Sequence, residues 1–155
     1  MKRFHFQLDT VLEYKQQVLD NRLVEHAAAL QQLSRQEETW RQAVERRSGY
    51  EEEYRQKKAE GLSIVEILQF EDCLSALLRQ ERLELEKLRR LEQQEEEKRQ
   101  RVVESRTETA TLEKLKSIKK TEYAKALAKE EERFIDDLTA AKRVGGGSAV
   151  SLGNA

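Results

Sequence analysis

From Leu12 onward, large apolar residues recur along the chain at alternating steps of four and three. Leu12, Leu19, Leu23, Leu30, Leu33, Trp40, Val44 and Tyr54 fall on one heptad seam, whose remaining positions hold Gln16, His26, Glu37, Arg47 and Glu51. That spacing collects an apolar stripe on one side of an α-helix. An isolated helix is marginal in water, so the stripe demands a partner. Phe4, Leu8 and Val11 carry the apolar face to the N-terminus, and the pattern predicts a helix over about 4–60.

Gly61 marks a break. Residues 55–60 contain no large apolar side chain, and Ser63-Ile64-Val65-Glu66 reads as a capping box with Ser63 at the N-cap and Glu66 at N3. The seam then resumes about one residue out of phase, through Ile67, Leu74, Leu78, Leu85, Leu88 and Val102, so a turn at about 61–63 is expected. It continues through Leu112, Leu115, Tyr123, Leu127, Phe134 and Leu138, which predicts a second helix over about 64–143. Ser48-Gly49 also resembles a helix start, but there the heptad runs through, and a tolerated glycine costs about 1 kcal/mol. The predicted fold is all-α: two long helices forming an antiparallel coiled-coil hairpin over 1–143, with Leu30, Leu33, Trp40, Leu85 and Leu88 inside. The second helix should outrun the first by about 20–25 residues, roughly 35 Å of helix. Gly145, Gly146, Gly147 and Ser148 open a Gly/Ser-rich tail at 144–155, flexible by composition.

Composition supports this picture and narrows the function. The 155 residues are 38% charged and 37% hydrophobic, with no proline and six glycines, the signature of long helices. A formal net charge of −1 argues against a duplex nucleic-acid partner, which selects a basic stripe. One cysteine, Cys73, allows no intramolecular disulfide and fits a reducing compartment. The N-terminus lacks the apolar core of a signal peptide. No stretch approaches the ~20 apolar residues that span a bilayer. A soluble, cytoplasmic protein is the expectation.

Catalytic and metal chemistry find no foothold. His5 and His26 have no cysteine nearby, and His26 lies on the seam, which makes packing its expected role. Cys73 has no local basic group to activate it. The glutamate runs at 51–53, 95–97 and 130–132 read as solvated faces. The triple glycine lacks the strand and the Gly-Lys-Ser/Thr of a phosphate loop. No enzyme, metal or cofactor is expected.

Two features go beyond a bland helix pair. Ile64, Ile67, Leu68, Leu74 and Leu78 make a stripe about 120° wide, and Phe70 and Leu77 widen it further on one flank. Either an extra segment packs there or the flank binds a partner. In addition, Lys114, Lys116, Lys119, Lys120, Lys125 and Lys129 outnumber Glu113 and Glu122 between residues 112 and 129. The stretch is either a solvated face or a basic tip steered toward an acidic surface.

The opening Phe4-His5-Phe6-Gln7-Leu8-Asp9-Thr10-Val11-Leu12-Glu13-Tyr14-Lys15 resembles the Phe-x-Phe-x-Leu-x-x-Val-Leu-x-x-Lys/Arg start of the FliJ family of flagellar type III export. Tyr50-x-x-x-Tyr54, Gly61 and Gln69-Phe70-x-x-x-Leu74 resemble the same family around its turn, and the resemblance extends to about residue 143. It implies an antiparallel coiled coil similar to the central stalk of rotary ATPases. It also implies docking into the export ATPase hexamer, contact with the cytoplasmic domain of the export gate at the inner membrane, and handling of export chaperones. Phe70 and Leu74 match the family's gate-binding pair, and Tyr50 and Tyr54 match aromatics of that surface, whereas Arg47 and Glu81 depart from better-known members. Lys116, Lys119 and Lys120 are the candidate contacts to the ATPase. On this reading Phe70 should be substantially exposed and Leu74 at least half buried, and the free protein should be monomeric. The rival expectations are the equivalent stalk of a virulence-type secretion system and a generic homodimeric coiled coil.

Overall fold

A computed structural model describes residues 2–147, which form two helices, α1 (Asp9–Glu60) and α2 (Ile64–Gly147), packed antiparallel with no strand among the described residues. The first helix starts at Asp9 and not near residue 4. The second runs through Val144 to Gly147, so this part of the expected tail is helical, while 148–155 lie outside the described residues.

The turn is built as its residues dictate. Gly61 has φ +101°, a left-handed conformation that a Cβ would strain, and its N–H donates to the carbonyls of Lys57 (3.1 Å) and Lys58 (3.2 Å). Ser63 and Glu66 then cap α2 reciprocally. The Ser63 N–H donates to the Glu66 carboxylate (2.9 Å), and the Glu66 N–H donates to the Ser63 hydroxyl (3.3 Å).

The described residues divide into two compact units, one of Gln17–Thr107 and one from the described parts of Met1–Gln16 and Glu108–Ala155. In Gln17–Thr107 the inner positions of α1 are His26, Ala29, Leu33, Gln36, Trp40, Ala43, Arg47, Tyr50 and Tyr54, stepping by three and four without interruption. Four positions of the expected seam, Leu30, Glu37, Val44 and Glu51, therefore give way to the residue before each. Leu30 is 45% exposed while Ala29 is 4% exposed, and Ala43, not Val44, is the buried member of its pair. On α2, the expected flank residues Phe70 and Leu77 join Ile67 and Leu74 of the expected stripe on the inner face, whereas Ile64, Leu68 and Leu78 (41% exposed) turn outward.

Polar contacts line the seam that results, and the one at a shifted position is that of Gln36. Gln36 donates to the Glu84 carbonyl (3.0 Å) and to its carboxylate (2.6 Å), and Arg47 donates to Glu81 (2.5 Å) and to Glu51 (3.0 Å). His26 Nε2 meets Glu95 at 2.9 Å, and Arg22 donates to the Arg101 carbonyl at 3.1 Å. Small alanines let the backbones approach, and the neighbouring layers are spanned by long polar side chains that specify register. The Gln36 hydrogen bond holds the Glu84 carboxyl below its ordinary range, against the opposing effect of burial. Glu81, more than any other neighbour, raises the already high Arg47 value.

In the other unit, residues 2–8 are not helical and form a strap along α2. The Tyr123 hydroxyl donates to the Lys2 carbonyl (2.6 Å), the Phe4 ring lies 5.6 Å from that of Tyr123, and Phe6 is 5% exposed. The Asp9 N–H donates to the Phe6 carbonyl (3.1 Å) as the chain enters α1, whose Leu12 is buried.

Candidate functional site

The candidate partner-binding residues fall in the two units separately. In Gln17–Thr107, next to the turn, Phe70 projects from the second turn of α2 between two tyrosines of α1. It stacks on Tyr54 (centroids 5.1 Å apart, planes at 16°) and leans on Tyr50 (5.3 Å, 39°). Lys57 Nζ lies 5.4 Å from the Phe70 centroid and Lys58 Nζ 4.1 Å from that of Tyr54, so two cations sit over the ring faces. Tyr54 is 7% exposed and its hydroxyl donates to Glu71 (3.4 Å). Tyr50 is half-buried, and its phenol is pushed up to about 12, chiefly by burial and then by the Cys73 thiol beside it.

The structure thus brings Tyr50, Tyr54 and Phe70 together, and Leu74 lies half-buried one turn further along α2. It corrects the expectation for Phe70, which is half-buried because both tyrosine rings cover it. Large apolar residues that stand exposed near the turn include Ile64 (78%), Val65 (64%) and Leu68 (55%). A groove of about 620 Å³ opens between Tyr50, Leu62, Phe70 and Cys73, with Lys57, Glu66 and Asp72 at its edge. Lys58 was findable in the sequence, being four residues after Tyr54 on a helix. The Cys73–Tyr50 contact had no such signal, because it crosses between helices.

In the other unit, the three lysines differ in their ties. Lys116 is held by Asp9 (2.7 Å), Lys119 pairs with the exposed Glu122 (3.3 Å), and Lys120 makes no ion pair among the described residues. Lys116 therefore fastens the start of α1 to α2, Lys119 would meet a partner only by sharing or leaving Glu122, and Lys120 is exposed. Farther along α2, Phe134 (65%), Ile135 (61%) and Leu138 (48%) stand exposed.

No group of His, Cys, Asp and Glu suited to a metal ion occurs among the described residues, and no helix there is long and apolar enough to cross a membrane. Comparison with known families decides the lineage, since the flagellar FliJ protein family matches residues 4–145. The chain belongs to the FliJ family. No curated relative and no solved structure matches it. Membership connects this FliJ-family chain with flagellar protein export and with a structural or adaptor role.

Proposed function

We propose that this FliJ-family chain is a non-catalytic coupling subunit of the flagellar export apparatus. It binds the export ATPase hexamer through the basic stretch of α2 and the cytoplasmic domain of the export gate through the aromatic cluster at the turn. Export chaperones are further partners, and the chain works at the cytoplasmic side of the inner membrane. The observation that carries the reading is family membership over residues 4–145, which takes in both candidate surfaces. Physical chemistry supports each assignment. Aromatic clusters with partial exposure are typical interface anchors, and a few of them carry most of a binding energy. A local excess of lysine steers association with an acidic surface and makes it sensitive to salt.

The test is a pair of titrations with the purified full chain, one against the ATPase hexamer and one against the gate domain. Lys119→Glu with Lys120→Glu should weaken ATPase binding at low salt and spare the gate. Leu74→Ala should weaken the gate and spare the ATPase. Lys116→Glu is the less clean choice, because it also breaks the pair with Asp9. Binding of both partners unchanged by both variants would remove these surfaces from the mechanism.

A further inference from the structure

The strap leaves a groove of about 580 Å³ between residues 2–8 and α2. Its walls include the rings of Phe4 and Tyr123 and the side chain of Leu8, while Lys2, Arg3 and Lys119 stand at its rim. No carboxylate is among the residues that line it. Leu8 is 38% exposed, although it sits beside the fully covered Phe6. The groove is therefore apolar inside and cationic outside, in a protein whose formal net charge is −1.

We infer that this groove docks an acidic protein segment carrying a hydrophobic anchor, the anchor entering between Phe4, Leu8 and Tyr123 while flanking Asp or Glu side chains meet Lys2, Arg3 and Lys119. The inference deepens the proposed role of the basic stretch and rests on it for Lys119. Charge complementarity selects the occupant. An apolar side chain alone would leave Lys2 and Arg3 without use and Lys119 with Glu122 (3.3 Å) only, and a plain acidic run would leave the groove empty. An anionic membrane is the poorer match, since membrane-seeking helices project their apolar side chains outward. Here Phe6 is buried and Phe4 is folded onto Tyr123. The strap is held by Tyr123 and by the Asp9–Lys116 pair, so the walls exist before anything binds. Such preorganisation reduces the entropy lost on docking.

The experiment uses the full chain and a fluorescein-labelled dodecapeptide with a central Phe-Leu pair flanked by Asp and Glu. Saturable binding that weakens with salt is expected. It should fall about tenfold or more in Arg3→Glu with Lys119→Glu, and likewise in Leu8→Gln, with helical circular dichroism unchanged. Replacing the peptide's Phe-Leu by Ser-Ser should abolish binding. No binding, binding indifferent to the Phe-Leu pair, or capture by phosphatidylglycerol vesicles in place of the peptide would each overturn the inference. The ATPase titration separates the two readings. If ATPase binding depends on Lys119 and Lys120 while the peptide fails, the groove inference alone falls. If the peptide binds through Arg3 and Leu8 while the ATPase ignores the lysines, the groove stands and the ATPase assignment falls.

Discussion

Around the turn, Tyr50, Tyr54 and Phe70 stack beneath two lysines, whereas around the strap Phe4, Phe6 and Tyr123 are held with one phenol-to-carbonyl hydrogen bond and one ion pair. The two regions use similar rings but close very different loops. The Tyr54–Glu71 hydrogen bond joins residues 17 apart in sequence, while Tyr123–Lys2 joins residues 121 apart. Closing the longer loop costs more chain entropy unless the intervening helices have already paired. The turn can therefore organise from local contacts, and the strap can dock only after α1 and α2 are in register. Stability should be correspondingly uneven, highest where contacts are local and buried and lowest where a non-helical segment lies on one helix.

The largest effect that would break this contrast is at Tyr54. Tyr54→Ala removes a buried ring, its stack with Phe70 and its lysine cap, and should cost about 3 kcal/mol or more in urea unfolding. A loss below about 1 kcal/mol would show that the stack is not a stabilising centre. Gly61→Ala comes next. A left-handed residue with a Cβ costs about 1–2 kcal/mol, read as a lowered midpoint with unchanged far-ultraviolet circular dichroism.

Phe6→Ala sharpens the comparison from the other side. The ring is as buried as Tyr54, yet its loss should release the strap locally. Hydrogen exchange at residues 2–15 should accelerate, with the global midpoint moved by less than about 1 kcal/mol. A global loss as large as that of Tyr54→Ala would make strap and turn one cooperative unit.

The smallest effect is at the Gln36–Glu84 layer, within Gln17–Thr107. The folded-state value of Glu84 is depressed, so its stabilising contribution is complete above the ordinary carboxylate range of about 4.3 and is lost as pH falls through the lowered value. Gln36→Leu removes the leading cause of that depression. Without it Glu84 takes up protons more nearly alike in the folded and unfolded states, so the loss of stability as pH falls below about 4.3, read by urea unfolding at several pH values, should be smaller in the variant than in the parent chain. Coincident acid profiles would show that this layer contributes no pH-dependent stability.

The all-α fold, the turn at Gly61 and the Ser63–Glu66 cap follow from local rules, because heptad spacing, a left-handed glycine and a capping box act over a few residues each. The search for polar catalytic groups and the singling out of Tyr50, Tyr54, Phe70 and Leu74 rest on the same kind of short-range pattern. What the pattern could not supply was the choice between adjacent positions. Leu30 and Ala29, or Leu78 and Leu77, differ by about 100° of helical rotation, and side-chain hydrophobicity favours the larger residue or ranks the two alike. That choice belonged to the pairing with the partner helix, where Glu84 takes Gln36 in place of Glu37 and Ala29 and Ala43 lie buried in the layers to either side. The strap was equally out of reach. Phe4, Leu8 and Val11 continue an apolar periodicity that reads as helix, and it is Tyr123, more than a hundred residues away, that ties Lys2 and Phe4 to α2 beside a groove.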